Sequence, residues 1–210
     1  GGNNVMADAT FPMYRILTTT FSGESRIIPL LPNHRFDLDA MLAAIDDDTR
    51  IVFLCTPNNP TGMIITQSQF DYFMSRVPEH VIVVMDESYH DYVTDPSHAE
   101  SLEYIEQGRN VIVLRSFSKA SGLANLRVGY MVASAELTEY ARHALLPFNT
   151  SDIALCAAAA ALWGGEGRAE AGLQPVLRAG CAEPARCHRG RMDRLHRGRR
   201  ADPPHVPERP

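Results

Sequence analysis

The stretch SFSKASGLANLRVGY, residues 116–130, holds Lys119, the single lysine of a chain that has 20 Lys and Arg residues and writes the other 19 as arginine. A lysine in a polar loop is ordinarily a solvated charge, but uniqueness in an arginine-rich chain argues for chemistry that arginine cannot do. A guanidinium keeps its proton and forms no imine. An amine can lose its proton through burial or cationic neighbours and then attack a carbonyl. Two other polar loops follow apolar runs in the same way: TPNNPTG, residues 56–62, follows RIVFLC, and DESYHDY, residues 86–92, follows VIVVM.

Imine chemistry on pyridoxal phosphate requires a lysine, an acid at the pyridine nitrogen and a cradle for the phosphate. Asp86 closes an apolar run, where a carboxylate is costly to bury without a cationic partner. Against a pyridine nitrogen it would keep that nitrogen protonated. Tyr89 can hydrogen-bond the ring hydroxyl, and Asn59 offers an amide to the same oxygen, although NNPTG taken alone reads as a Pro-Gly turn. Ser116, Ser118 and Arg127 supply hydroxyls and a guanidinium, the groups that bind a phosphate dianion. Taken singly they read as caps and a surface ion pair; together they form a set without an idle member.

The elements that must position these residues are legible as periodicity. RIIPL, RIVFLC, VIVVMD, NVIVLRS and RVGYMVA are short β-branched runs bounded by turn signals and read as buried strands. Between them lie helical patterns: DLDAMLAAIDD with Asp37 as cap, TQSQFDYFMSRV with Thr66 and SAELTEYARHALL with Ser134. Alternation of strand and helix predicts an α/β fold, a mostly parallel sheet covered on both faces in three α/β/α layers. Ligands of such sheets bind at the carboxyl ends of the strands, so the three polar loops open on one edge.

TFPMY, TPNNPTG, DESY and SFSKASGLANLRVGY, in this order, resemble the large domain of fold-type I pyridoxal-phosphate aminotransferases, and most closely the histidinol-phosphate aminotransferase group. The likeness covers residues 1 to about 162. It implies that Lys119 forms the Schiff base with the cofactor and then shuttles a proton at the α-carbon. It also implies that Asp86 pairs with the pyridinium, that Asn59 and Tyr89 bind the phenolic oxygen, and that Ser116, Ser118 and Arg127 hold the phosphate. Phe11 would stack on the ring, although alone it reads as core; Tyr14 receives no role. The resemblance further implies transamination between an amino acid or amino-alcohol phosphate, histidinol phosphate first, and 2-oxoglutarate, in a homodimer whose sites are completed across a two-fold axis. A decarboxylase of a phosphorylated amino acid is the runner-up within the fold, and an inactive fragment the alternative outside enzymology. Family members carry an N-terminal arm and phosphate-capping loop ahead of TFPMY, and a C-terminal domain with a carboxylate-binding arginine. Neither is recognisable here, so a truncated large domain is expected.

Composition sets the remaining bounds. The 210 residues, 45% hydrophobic, suffice for one α/β domain. No apolar run reaches the ~18 residues of a membrane span, and the start lacks the pattern of a secretory signal; a cytoplasmic protein is expected. Cys55, Cys156, Cys181 and Cys187 are scattered and read as free thiols. Residues 1–162 carry 10 basic and 19 acidic side chains, whereas residues 163–210 carry 10 and 6. That last segment has no Ile, Phe or Tyr, but six prolines and seven glycines. It reads as a disordered tail or as GC-rich DNA translated out of frame. The acidic body argues against nucleic-acid binding by the Arg-rich tail, and Cys181, Cys187, His188 and His196 lack zinc-site spacing.

Overall fold

The computed structural model describes residues 1–163. The readings made for the tail beyond them, including Cys181, Cys187, His188 and His196, lie outside the described residues. Among the described residues six strands form one sheet: β1 Asn3–Ala7, β2 Glu24–Ile28, β3 Thr49–Cys55, β4 Ile82–Asp86, β5 Val111–Ser116 and β6 Gly129–Val132. Their order is β2-β1-β3-β4-β5-β6, parallel throughout except that β6 runs antiparallel to β5. The helices are α1 Met13–Thr20, α2 Leu38–Ala43, α3 Gln67–Met74, α4 Leu102–Glu106, α5 Ala135–His143 and α6 Asp152–Trp163. This is the expected α/β class.

Parallel strands buried on both faces need continuous apolar runs rather than alternation. In β4 the four residues Val83 to Asp86 are all buried. Val83 and Met85 join Val5, Met6, Val52, Leu54, Val111 and Val113 in one core with Phe70, Phe73 and Met74 of α3. All three expected caps form. Asp37 Oδ1 accepts from Ala40 N–H at 2.9 Å, and Ser134 Oγ accepts from Leu137 N–H at 3.3 Å. Thr66 makes a reciprocal capping box with Gln69.

Among the elements outside the periodic patterns, β1 and α1 bear most on the site. β1 is an interior strand, between β2 and β3, although it begins with two asparagines. Asn3 is buried there because Asp46 Oδ1 accepts from its amide at 2.9 Å and the Thr49 hydroxyl donates to its Oδ1 at 2.7 Å. In α1 the apolar residues Met13, Ile16 and Leu17 are exposed while Tyr14 and Thr18 are buried, so its hydrophobic stripe points away from the core.

Candidate functional site

Adjacent parallel strands deliver their following loops to one edge of the sheet. β4 ends at Asp86, whose neighbour in register is Cys55, the last residue of β3. Thr56 N–H donates to the Asp86 carbonyl at 2.9 Å, tying the TPNNPTG loop to the Asp86 loop at their roots. β5 ends at Ser116, three residues before Lys119. Three sequence-predicted loops are therefore consecutive.

Asp86 is buried, and its carboxylate is held entirely by neutral donors. Tyr14 Oη donates to Oδ2 at 2.6 Å, while Ser88 N–H and Ser88 Oγ donate to Oδ1 at 3.0 and 2.6 Å. No salt bridge to Asp86 occurs among the described residues. A buried anion with three hydrogen bonds and no counter-charge suits a cationic N–H donor such as a protonated ring nitrogen. The Tyr14 phenol is pushed far above its usual ionisation range, first by burial and then by the neighbouring Cys55 thiol and Asp86 carboxylate. Burial likewise pushes the Cys55 thiol up to about 11, with Asp86 adding to the effect. Both groups stay protonated beside the carboxylate at neutral pH.

Tyr14 had no assigned role in the sequence. Its ring stacks on Phe53 of β3 with centroids 4.6 Å apart and planes at 4°, and Phe11 meets it edge-on at 5.7 Å. Phe11 is thus linked to Asp86 through Tyr14 and remains partly exposed. The two asparagines of TPNNPTG divide the work. Asn58 is buried and structural: its amide donates to Ala9 carbonyl at 2.9 Å and Thr61 Oγ1 at 3.0 Å, and its Oδ1 accepts from Thr10 Oγ1 at 2.8 Å. These bonds fasten the loop after β1 to the loop after β3. Asn59 is half-buried and lines, with Tyr89, a cleft of about 580 Å³.

Lys119 is exposed, with Nζ 5.0 Å from the centroid of the Tyr89 ring. Its loop closes by a Gly122 N–H bond to the Lys119 carbonyl at 3.0 Å, and Gly122 has φ +69°, a left-handed conformation that suits glycine. β6 then returns from the same edge. Ser116 pairs with Gly129, where an added Cβ would stand 2.8 Å from the Arg115 carbonyl oxygen, so the close pairing admits only glycine. Ser118 N–H donates to Ser116 Oγ at 3.0 Å, and Phe117 N–H to the Val128 carbonyl at 3.3 Å. Arg127, next to Val128, is exposed and donates from Nη1 to the Ala124 carbonyl at 2.8 Å. Ser116, Ser118 and Arg127 therefore share one turn, but their side chains make no bond to one another among the described residues.

Beneath this edge lies a second buried charge. Glu87 is enclosed, and its Oε2 accepts from Arg115 Nη2 at 2.7 Å and Nε at 3.0 Å, a pair that joins the ends of β4 and β5. His90 Nδ1 lies 3.6 Å from the same oxygen. Burial, then the Arg115 charge, pushes the His90 imidazole below its usual range. No helix among the described residues is long and apolar enough to cross a membrane, and no cluster of His, Cys, Asp or Glu there is placed to hold a metal.

Comparison with known proteins follows the same residues. The family described as aminotransferase class I and II matches residues 2–176. The chain is 47% identical over 162 residues to the histidinol-phosphate aminotransferase of Geobacillus thermodenitrificans, covering 77% of this chain and 44% of that protein. To the Bacillus subtilis protein of the same name it is 45% identical over 160 residues, 76% of this chain and 44% of the relative. The chain thus spans less than half the length of these relatives. Among solved structures it is similar to histidinol-phosphate aminotransferase from Sinorhizobium meliloti in complex with pyridoxal-5'-phosphate. The TM-score is 0.71 and the identity 29%, over 77% of this chain and 44% of that one. It shares its fold with L-threonine-O-3-phosphate decarboxylase from Porphyromonas gingivalis, with TM-score 0.66 and 22% identity over 79% and 48% of the two chains.

Proposed function

Because the chain belongs to the aminotransferase class I and II family, we propose that residues 1–162 are the cofactor-binding domain of a pyridoxal-phosphate-dependent aminotransferase. The observation that carries this reading is the buried Asp86 carboxylate, which among the described residues is held by neutral donors and ends a strand flanked by those that lead into the Asn59 and Lys119 loops. When bound, the cofactor supplies an electron-withdrawing pyridinium ring that stabilises negative charge at the substrate α-carbon.

The chain's own residues provide the rest. Asp86 holds the ring nitrogen in its protonated form, and Tyr14 and Ser88 fix the carboxylate that does so. Lys119 anchors the cofactor covalently and, as a free amine, carries the proton at the α-carbon. Asn59 and Tyr89 donate to the ring oxygen, Phe11 packs against the ring, and Ser116, Ser118 and Arg127 bind the phosphate. Histidinol phosphate is the amino donor to test first, since relatives at 44–48% identity bear that enzyme's name; 2-oxoglutarate is the acceptor. The enzyme is a cytoplasmic homodimer. The exposed apolar residues Met13, Ile16, Leu17 and Phe21 on and beside α1 support docking of a second copy.

Lys119 is the chain's only lysine, which makes the test direct. Incubation with pyridoxal phosphate followed by borohydride reduction should place one stable adduct on Lys119, read by peptide mass. Lys119→Ala should carry none. An adduct confined to the N-terminal amine, or none at all, would overturn the assignment.

A further inference from the structure

The cleft that holds Asn59 and Tyr89 extends beyond the residues used above. It is also lined by Arg35, from the loop between β2 and α2, and by Tyr92, Thr94 and Asp95. Four arginines among the described residues are half-buried: Arg26, Arg35, Arg109 and Arg115. Three of them have fixed partners. Arg26 is bound by the Ala44 carbonyl and Asp46, Arg109 by the carbonyls of Met74 and Val77, and Arg115 by Glu87. The Arg35 guanidinium alone of the four makes no hydrogen bond or ion pair among the described residues.

Asp95 faces the same cleft, yet its Oδ1 already accepts from Ser97 N–H at 2.9 Å and Ser97 Oγ at 2.7 Å. Those two bonds, and after them the Arg35 charge, hold the Asp95 carboxyl below the usual carboxylate range. The guanidinium is therefore near enough to be felt at Asp95 without being neutralised by it. Five N–H donors in a planar fork, partly desolvated and unspent, match an anionic oxygen group better than any neutral one.

Position supplies the second half of the argument. The ring hydroxyl of pyridoxal phosphate and its aldehyde carbon are on adjacent ring atoms. Residues that hold the hydroxyl are consequently immediate neighbours of any amine joined at that carbon. A cleft lined by Asn59, Tyr89 and Arg35 therefore puts a cation in the same cavity as the residues proposed to hold the hydroxyl. We propose that Arg35 is a specificity-determining residue that binds the anionic end of the amino donor, a phosphate ester or a side-chain carboxylate, in this cleft. The proposal rests on the aminotransferase reading above, and names the residue that would select the donor.

The test uses the full chain loaded with pyridoxal phosphate and titrated, by cofactor absorbance, with two pairs of donors. These are histidinol phosphate against histidinol, and L-glutamate against L-glutamine. The wild-type chain should prefer the anionic member of one pair by about 10- to 100-fold, the scale of a charge-assisted bidentate contact. Arg35→Gln should erase that preference and leave cofactor affinity unchanged, while Arg35→Lys should retain part of it. Loss of the histidinol phosphate preference identifies a phosphate site, and loss of the glutamate preference a carboxylate site. Retention of both preferences in Arg35→Gln overturns the proposal, as does weaker binding of pyridoxal phosphate, which would make the cleft the cofactor's own. If the wild-type chain takes up no cofactor, the aminotransferase reading fails separately. Calorimetric titration of the same chain with histidinol phosphate then decides: binding abolished by Arg35→Gln upholds the anion site, and binding absent or unaltered rejects it.

Discussion

Tyr14→Phe removes one atom at the centre of the site and leaves nearly everything else in place. The ring would stay stacked on Phe53, where the centroids are 4.6 Å apart, and would stay buried. What is lost is a 2.6 Å hydrogen bond from the hydroxyl to Asp86 Oδ2. A hydrogen bond to a charged group contributes about 1.5–3 kcal/mol net, which for a chain of this size corresponds to a fall of about 3–12 °C in Tm. The pH dependence carries a second signature. Tyrosine in the unfolded chain ionises near 10, whereas folded Tyr14 holds its proton more tightly, first because it is buried and then because Cys55 and Asp86 surround it. Its contribution is therefore whole below pH ~10 and is lost as pH rises through the folded value. Urea unfolding at pH 7 and at several points from pH 9 to 11 should show the wild-type chain losing stability on the alkaline side more steeply than Tyr14→Phe. Asp86→Asn should cost less in the Tyr14→Phe background than in the wild type, because the two changes remove the same bond. A Tyr14→Phe chain within about 0.5 kcal/mol of wild type, with an unchanged alkaline slope, would refute the idea that Tyr14 secures the carboxylate.

Three other outcomes are expected. Glu87→Gln leaves the Arg115 guanidinium without its counter-charge and should cost about 3–5 kcal/mol in urea unfolding; Glu87→Gln combined with Arg115→Met should recover part of it, and a single-variant cost under about 1 kcal/mol would remove the pair from the account. Thr66→Ala deletes one half of the capping box and should lower stability by about 1 kcal/mol, with faster amide exchange at Gln69; unchanged exchange there would contradict the cap. His90 is held neutral by burial and by Arg115, so its contribution is whole above the unfolded value near 6.5 and is lost as pH falls through the depressed folded value. His90→Gln should accordingly flatten the loss of stability below about pH 6.5, and an unaltered acid limb would show that His90 is not its source.

The parts of the fold that were legible in the sequence are those whose signal is local. β3, β4 and β5 are continuous apolar runs because both their faces are covered, and α2, α3 and α5 announce themselves through Asp37, Thr66 and Ser134. β1 was not legible, because its polar opening residue is satisfied by Asp46 and Thr49, more than forty positions away. α1 was hidden for a different reason: its exposed apolar face inverts the pattern by which a surface helix is read. The same division holds in the site. Lys119, Asp86, Asn59 and Tyr89 stand out because each ends or follows an apolar strand. Tyr14 and Arg35 do not, since the partner of one is 72 residues distant and the guanidinium of the other has no bonded partner among the described residues. A doubled Asn gives no local sign of which amide folds inward, and only the bonds to Ala9, Thr10 and Thr61 single out Asn58 for the structural task.

Strand order explains why these residues can meet at all. β1, β3, β4 and β5 are neighbours, and at about 4.8 Å per strand their four carboxyl ends span roughly 14 Å, a width suited to one aromatic cofactor and a small substrate. In the proposed site each end contributes a different residue: Tyr14 beyond β1, Asn59 beyond β3, Asp86 on β4 and Lys119 beyond β5. The reversal of β6 belongs to the same logic. Ser116 pairs with Gly129 because β6 starts where β5 stops, so Arg127 enters at the edge that already holds Ser116 and Ser118. A parallel β6 in the same sheet position would begin at the opposite edge and carry Arg127 away from both serines. The one antiparallel strand in an otherwise parallel sheet is thus what allows a residue preceding it in the chain to join a site built from residues that follow the others.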